Sequence, residues 1–334
     1  MALTLVRLLA DPAGAGAVAD WTSLLAAARA ESLLGTLAHR LDGQKLPPKV
    51  DAILAAARAD AAQARTQALW EAEMARRALA PLGLPAVLLK GTAYAAAGLS
   101  PAAGRSIGDL DILVPRAGLP EVERVLLAYG WEWVKDDSYD DLYYRRWMHE
   151  LPPLIHKERD RMIDVHHTIL PLTARRTPDA EALIAARRPL GDGALSILAP
   201  ADMVIHAAAH LFADGDLAGG LRNLWDIDRL LRDFAAEPDF WQQLRERAER
   251  HQMLSPVLRA GRIANDLYGT PVPDGWRVWD SADPLFKARL LARDSWGRAT
   301  RPALRLGFYV RSHALRMPPL MLARHLWTKA RKAS

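Results

Sequence analysis

The 334-residue chain contains no cysteine. Disulfides and thiolate metal sites are therefore excluded, although this absence by itself identifies no compartment. Also missing is any run of roughly 20 apolar residues, the length a membrane-crossing helix needs. The opening Met1-Ala2-Leu3-Thr4-Leu5-Val6 is cut by Arg7 and then Asp11, and so lacks the core of a signal peptide. A cytoplasmic location is expected. Charge of one sign is scarce only locally. The formal charge of +5 hides a tail in which, from Leu285 onward, twelve Lys and Arg face a single acidic residue, Asp294. The rest of the chain is net acidic, so the overall charge is weak evidence for nucleic-acid binding. The tail can meet an anionic partner (lipid, RNA or an acidic protein), or form a solvated helix closing the C-terminal region.

Half of the residues are hydrophobic and a quarter charged, which is ordinary globular material with enough apolar mass for a core. Residues 1–80 read as helices: Trp21, Leu24, Leu25 and Ala28 recur at helical spacing, and after Pro47-Pro48 an Ala-rich helix extends from Val50 towards Leu82. The texture changes at Pro81. Ala86-Val87-Leu88-Leu89 reads as a buried strand entering a glycine turn at Lys90-Gly91-Thr92. A strand over 109–114 and a helix over 119–129 follow. Further strands are expected over 131–134, 142–148 and 162–169, the last pairing with 154–156. Beyond Pro171 the pattern is helical again, over 179–187, 200–212, 221–234, 238–251, 254–268 and 283–296. The expected regions are thus 1–80 (helical), 81–172 (a small mixed sheet with helices) and 173–334 (helical, with the basic tail).

The chemistry concentrates in that middle region. Asp109 and Asp111 are two apart on an expected strand and leave it on one face, with Leu110 and Ile112 on the other. In Ile163-Asp164-Val165-His166 the same alternation puts Asp164 and His166 together. Like charges on one face repel unless a cation lies between them. Two hard cations about 3.5–4 Å apart, bridged by such carboxylates, are a common apparatus of phosphoryl transfer. Asp-x-Asp alone is a weak signal and also fits a solvated strand edge. The upstream Lys90-Gly91-Thr92 strengthens it, because a glycine turn at a helix start can cradle phosphates.

In this order, Leu89-Lys90-Gly91-Thr92, Arg105, Asp109-Leu110-Asp111-Ile112-Leu113-Val114 and Ile163-Asp164-Val165-His166 resemble the DNA polymerase beta-like nucleotidyltransferase superfamily. Within it, the chain looks like the bacterial family of uncharacterised nucleotidyltransferases, over most of its length. The resemblance implies an α+β fold, with a small mixed-sheet nucleotidyltransferase core flanked by N-terminal and C-terminal helical regions. It further implies that Asp109, Asp111 and Asp164 hold two Mg²⁺ ions (or Mn²⁺), and that Asp164 helps to activate the attacking hydroxyl. Gly91 and Thr92 would contact the β- and γ-phosphates of an NTP. The reaction would transfer NMP to a hydroxyl or phosphate of a small molecule, peptide, protein or tRNA, releasing pyrophosphate. Two departures stand out: Gly91-Thr92 replaces the usual Gly-Ser or Gly-Gly, and the stretch from Gly91 to Asp109 is longer than usual.

Lys90 and Arg105 can neutralise phosphate charge, or can flank a loop as a surface pair. His166 can touch the acceptor, support Asp164, or be a satisfied structural histidine. His206 and His210, at i and i+4, can line an acceptor pocket with Asp226, bind zinc, or simply pack. Asp226 and Asp228 read as polar residues flanking a helix core. Two rival functions remain: a nucleotide-binding regulatory protein of the same fold with little turnover, and a metallohydrolase built on His206 and His210.

Overall fold

Proline and alanine shape the first quarter of the chain. After α1 (Ala2–Ala10), α2 (Trp21–Ala30) and α3 (Leu34–Arg40), Pro48 opens the 32-residue α4 (Pro48–Leu79), as suits a residue without an N–H to lose. The buried stripe of α4 is largely alanine (Ala57, Ala61, Ala68, Ala72, Ala75, Ala78), which lets neighbouring backbones approach closely. The computed structural model describes residues 1–135, 138–191, 193, 195–316 and 327.

The middle of the chain alternates strands and helices: β1 (Val87–Leu88), α5 (Lys90–Ala96), β2 (Leu110–Leu113), α6 (Leu119–Ala128), β3 (Trp131–Trp133), α7 (Ser138–Trp147), β4 (Leu154–His156) and β5 (Met162–His166). Next come α8 (Ala180–Ala185), β6 (Arg188–Leu190) and β7 (Leu195–Ile197). Together the strands form one seven-stranded mixed sheet in the order β3-β4-β5-β2-β1-β7-β6. The pairs β2–β5 and β1–β7 are parallel, and the remaining neighbours are antiparallel. The fold is the expected α+β class. Leu110, Ile112, Ile163 and Val165, on one face of the central pair, are all buried, and α4 packs against β2, α5 and α6.

The C-terminal helices are α9 (Pro200–Ala208), α10 (Gly220–Phe234), α11 (Phe240–Arg250), α12 (Leu254–Tyr268), α13 (Asp283–Leu290) and α14 (Pro302–Arg316). From Ala209 to Asp214, α9 continues as a π-helical turn, a widening often found near functional sites. Helix α13 stops at Leu290, short of the expected 296, where the chain turns back through the Arg293–Ala299 bridge.

Three expectations are corrected. The strand expected over 142–148 is instead the C-terminal part of α7, which runs to Trp147. Tyr143 and Trp147 meet edge to face one turn apart (5.8 Å between ring centres), and Arg145 bonds Asp141 at 2.7 Å and Glu123 of α6 at 2.6 Å, contacts that helical spacing provides. The strands β6 and β7 were not foreseen, because three residues are too few to show alternation and Pro189 discouraged a strand, although an edge strand tolerates it. Asp226 and Asp228 are buried ion-pair centres rather than flanking polar groups. Asp228 bonds Arg232 at 2.9 Å and Thr270 at 2.6 Å, and it also pairs with Arg229.

Several basic residues of the tail are engaged within the fold. Lys287 pairs with Asp266 at 2.7 Å, Arg293 with Glu31 at 2.6 Å, and Arg311 donates to the Phe212 carbonyl at 2.6 Å. Arg324, Lys329, Arg331 and Lys332 lie outside the described residues.

The turn between β4 and β5 is tied to α4 by a two-pronged bond from Arg159 to buried Glu71 (2.9 and 3.0 Å), with the guanidinium lying over Trp131 at 4.8 Å. Removing one partner of such a pair leaves a charge stranded in the protein. Glu71→Ala is expected to lower unfolding stability by about 3 kcal/mol in urea denaturation; a change within error would show that the turn is held by packing alone.

Candidate metal centre

Strands β2 and β5 run parallel in a register that sets Asp111 directly opposite Asp164. Asp109 stands immediately before β2 and is exposed, whereas Asp111 is buried and Asp164 half-buried. One carboxylate oxygen from each of the three lies within 4.8 Å of the others. Two features offset the repulsion. Lys90 Nζ donates to Asp111 Oδ1 at 2.6 Å, and His166 Nε2 lies 3.0 Å from the same oxygen.

The two opposed carboxyls respond in opposite ways. Burial works to raise the Asp111 pKa, but the Lys90 charge and the His166 hydrogen bond outweigh it and hold the group well below the usual carboxylate range. Asp164 lacks such a cation. Burial first, then the charges of Asp111 and Glu150, push it up to about 7. A trio of hard oxygen donors with one member reluctant to ionise suits a divalent cation of the Mg²⁺ or Mn²⁺ kind.

Lys90 reaches Asp111 from an unusual backbone position. It begins α5 at φ +48°, a left-handed conformation that costs a side-chain-bearing residue about 1–2 kcal/mol. Its own pKa is raised, because the carboxylates outweigh the burial that works to lower it. Gly91 has a local reason too: a Cβ there would stand 2.7 Å from Arg105 Nε. Arg105 lies half-buried against Gly91, and its Nη1 donates to Asp226, which also accepts from Arg222 Nη2 at 2.5 Å. The Thr92 hydroxyl is buried and has no hydrogen-bond partner, as is Arg105 Nε.

The expected histidines separate. His166 is in the carboxylate cluster. His206 and His210 instead line a small cavity of about 60 Å³ with Lys90, Tyr94, Arg105 and Asp226. His206 is buried, and desolvation together with the Lys90 charge keeps its pKa well below the ordinary value, so the ring is neutral. Among the described residues, neither His206 nor His210 joins a group of three metal-ligating side chains. A roomier cavity of about 500 Å³ lies past the carboxyl ends of β2 and β5, lined by Arg116, His167, Thr168, Arg176 and Ile184 among others. His149 and Glu150 were missed in the sequence. They close around His166 through an antiparallel bridge between Glu150 and His166, and the misread strand at 142–148 concealed that pairing.

A family model described as "uncharacterised nucleotidyltransferase" matches residues 17–269. The chain belongs to this family. The match runs from just before α2 to the end of α12, so it takes in the whole sheet, the carboxylate trio and the wall formed by α9 and α10. No curated protein matches the chain. Membership in a nucleotidyltransferase family makes this chain a transferase in its general class, with an NTP as the implied substrate.

The contrast between Asp111 and Asp164 is measurable in the metal-free protein. The folded pKa of Asp164 stands above its unfolded value near 3.8, so the folded state keeps a proton that the unfolded state has released, and stability from this group is lost as pH rises from about 4 to about 7. Asp164→Asn is therefore expected to raise Tm at pH 8, with a smaller gain near pH 4. Asp111→Asn, which strands Lys90, is expected to lower Tm at pH 8. Equal shifts from both substitutions at both pH values would show that the opposed pair is not electrostatically strained.

Proposed function

We propose that the chain is a divalent-cation-dependent nucleotidyltransferase that moves NMP from an NTP to a hydroxyl or phosphate of an acceptor and releases pyrophosphate. The observation that carries this reading is the opposition of Asp111 and Asp164 across parallel strands, with Asp109 in reach and an Asp164 that resists ionisation. Asp109, Asp111 and Asp164 would hold the cations, Mg²⁺ or Mn²⁺, which supply charge neutralisation on the triphosphate and at the attacking oxygen.

The acceptor oxygen attacks the α-phosphorus in line; the bond from that phosphorus to the bridging oxygen breaks, and pyrophosphate carries away the electron pair. Asp164, as a ligand of the cation beside the attacking oxygen, would help to activate the acceptor's hydroxyl. Lys90 offers positive charge to the phosphates from the first residue of α5, followed by Gly91 and the unpartnered Thr92 hydroxyl. Arg105 supports this segment through Asp226 rather than standing ready as a free fork. The acceptor enters from the helical half, where His206, His210 and Asp226 meet Lys90; it belongs to the class of small molecules, peptides, proteins or tRNA ends.

Incubation with NTPs labelled at the α-phosphate in a cell lysate is expected to label one acceptor fraction, with unlabelled pyrophosphate released. Calorimetry with each NTP and Mg²⁺ is expected to show binding that is weakened at least about tenfold in the Asp109→Asn/Asp111→Asn double variant. A wild-type protein that binds no NTP and behaves like the double variant would overturn the proposal.

A further inference from the structure

We infer that His149, Glu150 and His166 form a second metal site, separate from the three aspartates, for a transition-metal dication of the Zn²⁺ class. The ligand-bearing segments are fixed by backbone pairing. Glu150 bridges His166, His167 N–H donates to the His149 carbonyl at 2.8 Å, and Leu151 N–H donates to the Val165 carbonyl at 2.9 Å. Two of the three ligands come from the connection between α7 and β4, pinned by this pairing, and the third from the end of β5.

The spacing suits one ion. His166 Nδ1 lies 3.4 Å from Glu150 Oε2, His149 Nε2 lies 3.8 Å from the same oxygen, and one ligand atom from each residue lies within 4.8 Å of the others. Two donors each about 2.0–2.1 Å from a tetrahedral ion are about 3.4 Å apart.

The unpartnered ring nitrogen of His166 supplies the second, independent argument. The contact with Asp111 Oδ1 at 3.0 Å occupies Nε2. Nδ1 is buried and has no hydrogen-bond partner, in a residue only 2% exposed. It faces Glu150 Oε2 at 3.4 Å, and an ion between the two would give that nitrogen a partner. A metal-bound histidine whose other nitrogen donates to a carboxylate is the usual way in which such rings are oriented, and here Asp111 is that carboxylate. His149 adds a second ring, 5.2 Å from His166 between centres.

The donor sets of the two sites differ in kind. Three carboxylates favour hard Mg²⁺ or Mn²⁺, whereas two imidazoles and one carboxylate favour Zn²⁺, Co²⁺ or Ni²⁺. An ion on His166 Nδ1 locks the ring in the tautomer that holds Asp111, and so positions one of the three aspartates without touching the nucleotide.

The test is Zn²⁺ titration of the full, untagged chain after chelator treatment, in buffer without Mg²⁺ or nucleotide, followed by calorimetry and elemental analysis. The expected result is one tightly bound Zn²⁺ per chain. His149→Ala and Glu150→Gln should each weaken it at least about 100-fold, while Asp109→Asn leaves it unchanged. Bound Co²⁺ should show the visible absorption of a four- or five-coordinate ion, lost in the same two variants. The isosteric Glu150→Gln, checked by circular dichroism, decides the matter if His149→Ala fails to fold. Absence of binding, binding that survives Glu150→Gln, or binding that disappears in Asp109→Asn would each overturn the inference; the last would place the ion on the aspartates. Because nucleotide is absent throughout, the outcome stands independently of nucleotidyl transfer.

Discussion

Two carboxyl groups facing each other across adjacent parallel strands are the constraint around which this molecule is arranged. Asp111 and Asp164 sit at the same register on β2 and β5, near the middle of the seven-stranded sheet. Their backbone positions cannot move apart without breaking ladder hydrogen bonds. The surroundings therefore supply asymmetry instead of distance: Lys90, held in a left-handed conformation, and His166 both serve Asp111, and Asp164 is left with burial and like charge. One carboxylate is an established anion and the other is close to the point where it exchanges a proton at neutral pH. Such a divided pair is a common mark of sites that bind cations or move protons.

Charge burial continues outward from this pair, largely through arginine. Arg247 joins α11 to Asp202 of α9 at 2.5 and 2.6 Å. Arg259 and Arg262 of α12 share Asp283 of α13 at 2.7 and 2.5 Å. Arg293, beyond α13, reaches back to Glu31 after α2. Each carboxylate is met by a guanidinium with directional bonds, the condition under which a buried charge is tolerable. The basic tail thus has an architectural use in its first half.

The period of the apolar residues revealed the helices and the central strands, because those elements are long enough to show a period and have one face in the core. It also revealed the shared face of Asp111, Asp164 and His166, since alternation is a local property that survives folding. Partnership was hidden. Nothing local says that Arg105 meets Asp226, 121 residues away, or that Glu150 lies across from His166. The aromatic and basic stretch around Tyr143 to Trp147 is ambiguous by composition, and its partners Glu123 and Trp133 decide for helix. The three-residue strands β6 and β7 carry no period at all, and only the open side of β1 recruits them into the sheet.

The arginine beside Gly91 belongs to a longer polar thread. Thr36 of α3 accepts from Arg222 of α10, Arg222 and Arg105 both grip Asp226, and Arg105 presses on the first turn of α5. The thread passes through all three stretches into which texture divides the sequence, and it ends one residue from the lysine that holds Asp111. Leading helices, sheet and trailing helices are in this sense a single keyed assembly. The wall of α9 and α10 is indexed to the carboxylate face by a handful of polar bonds, so a disturbance in α10 or even α3 is felt as a change of alignment at the carboxylates.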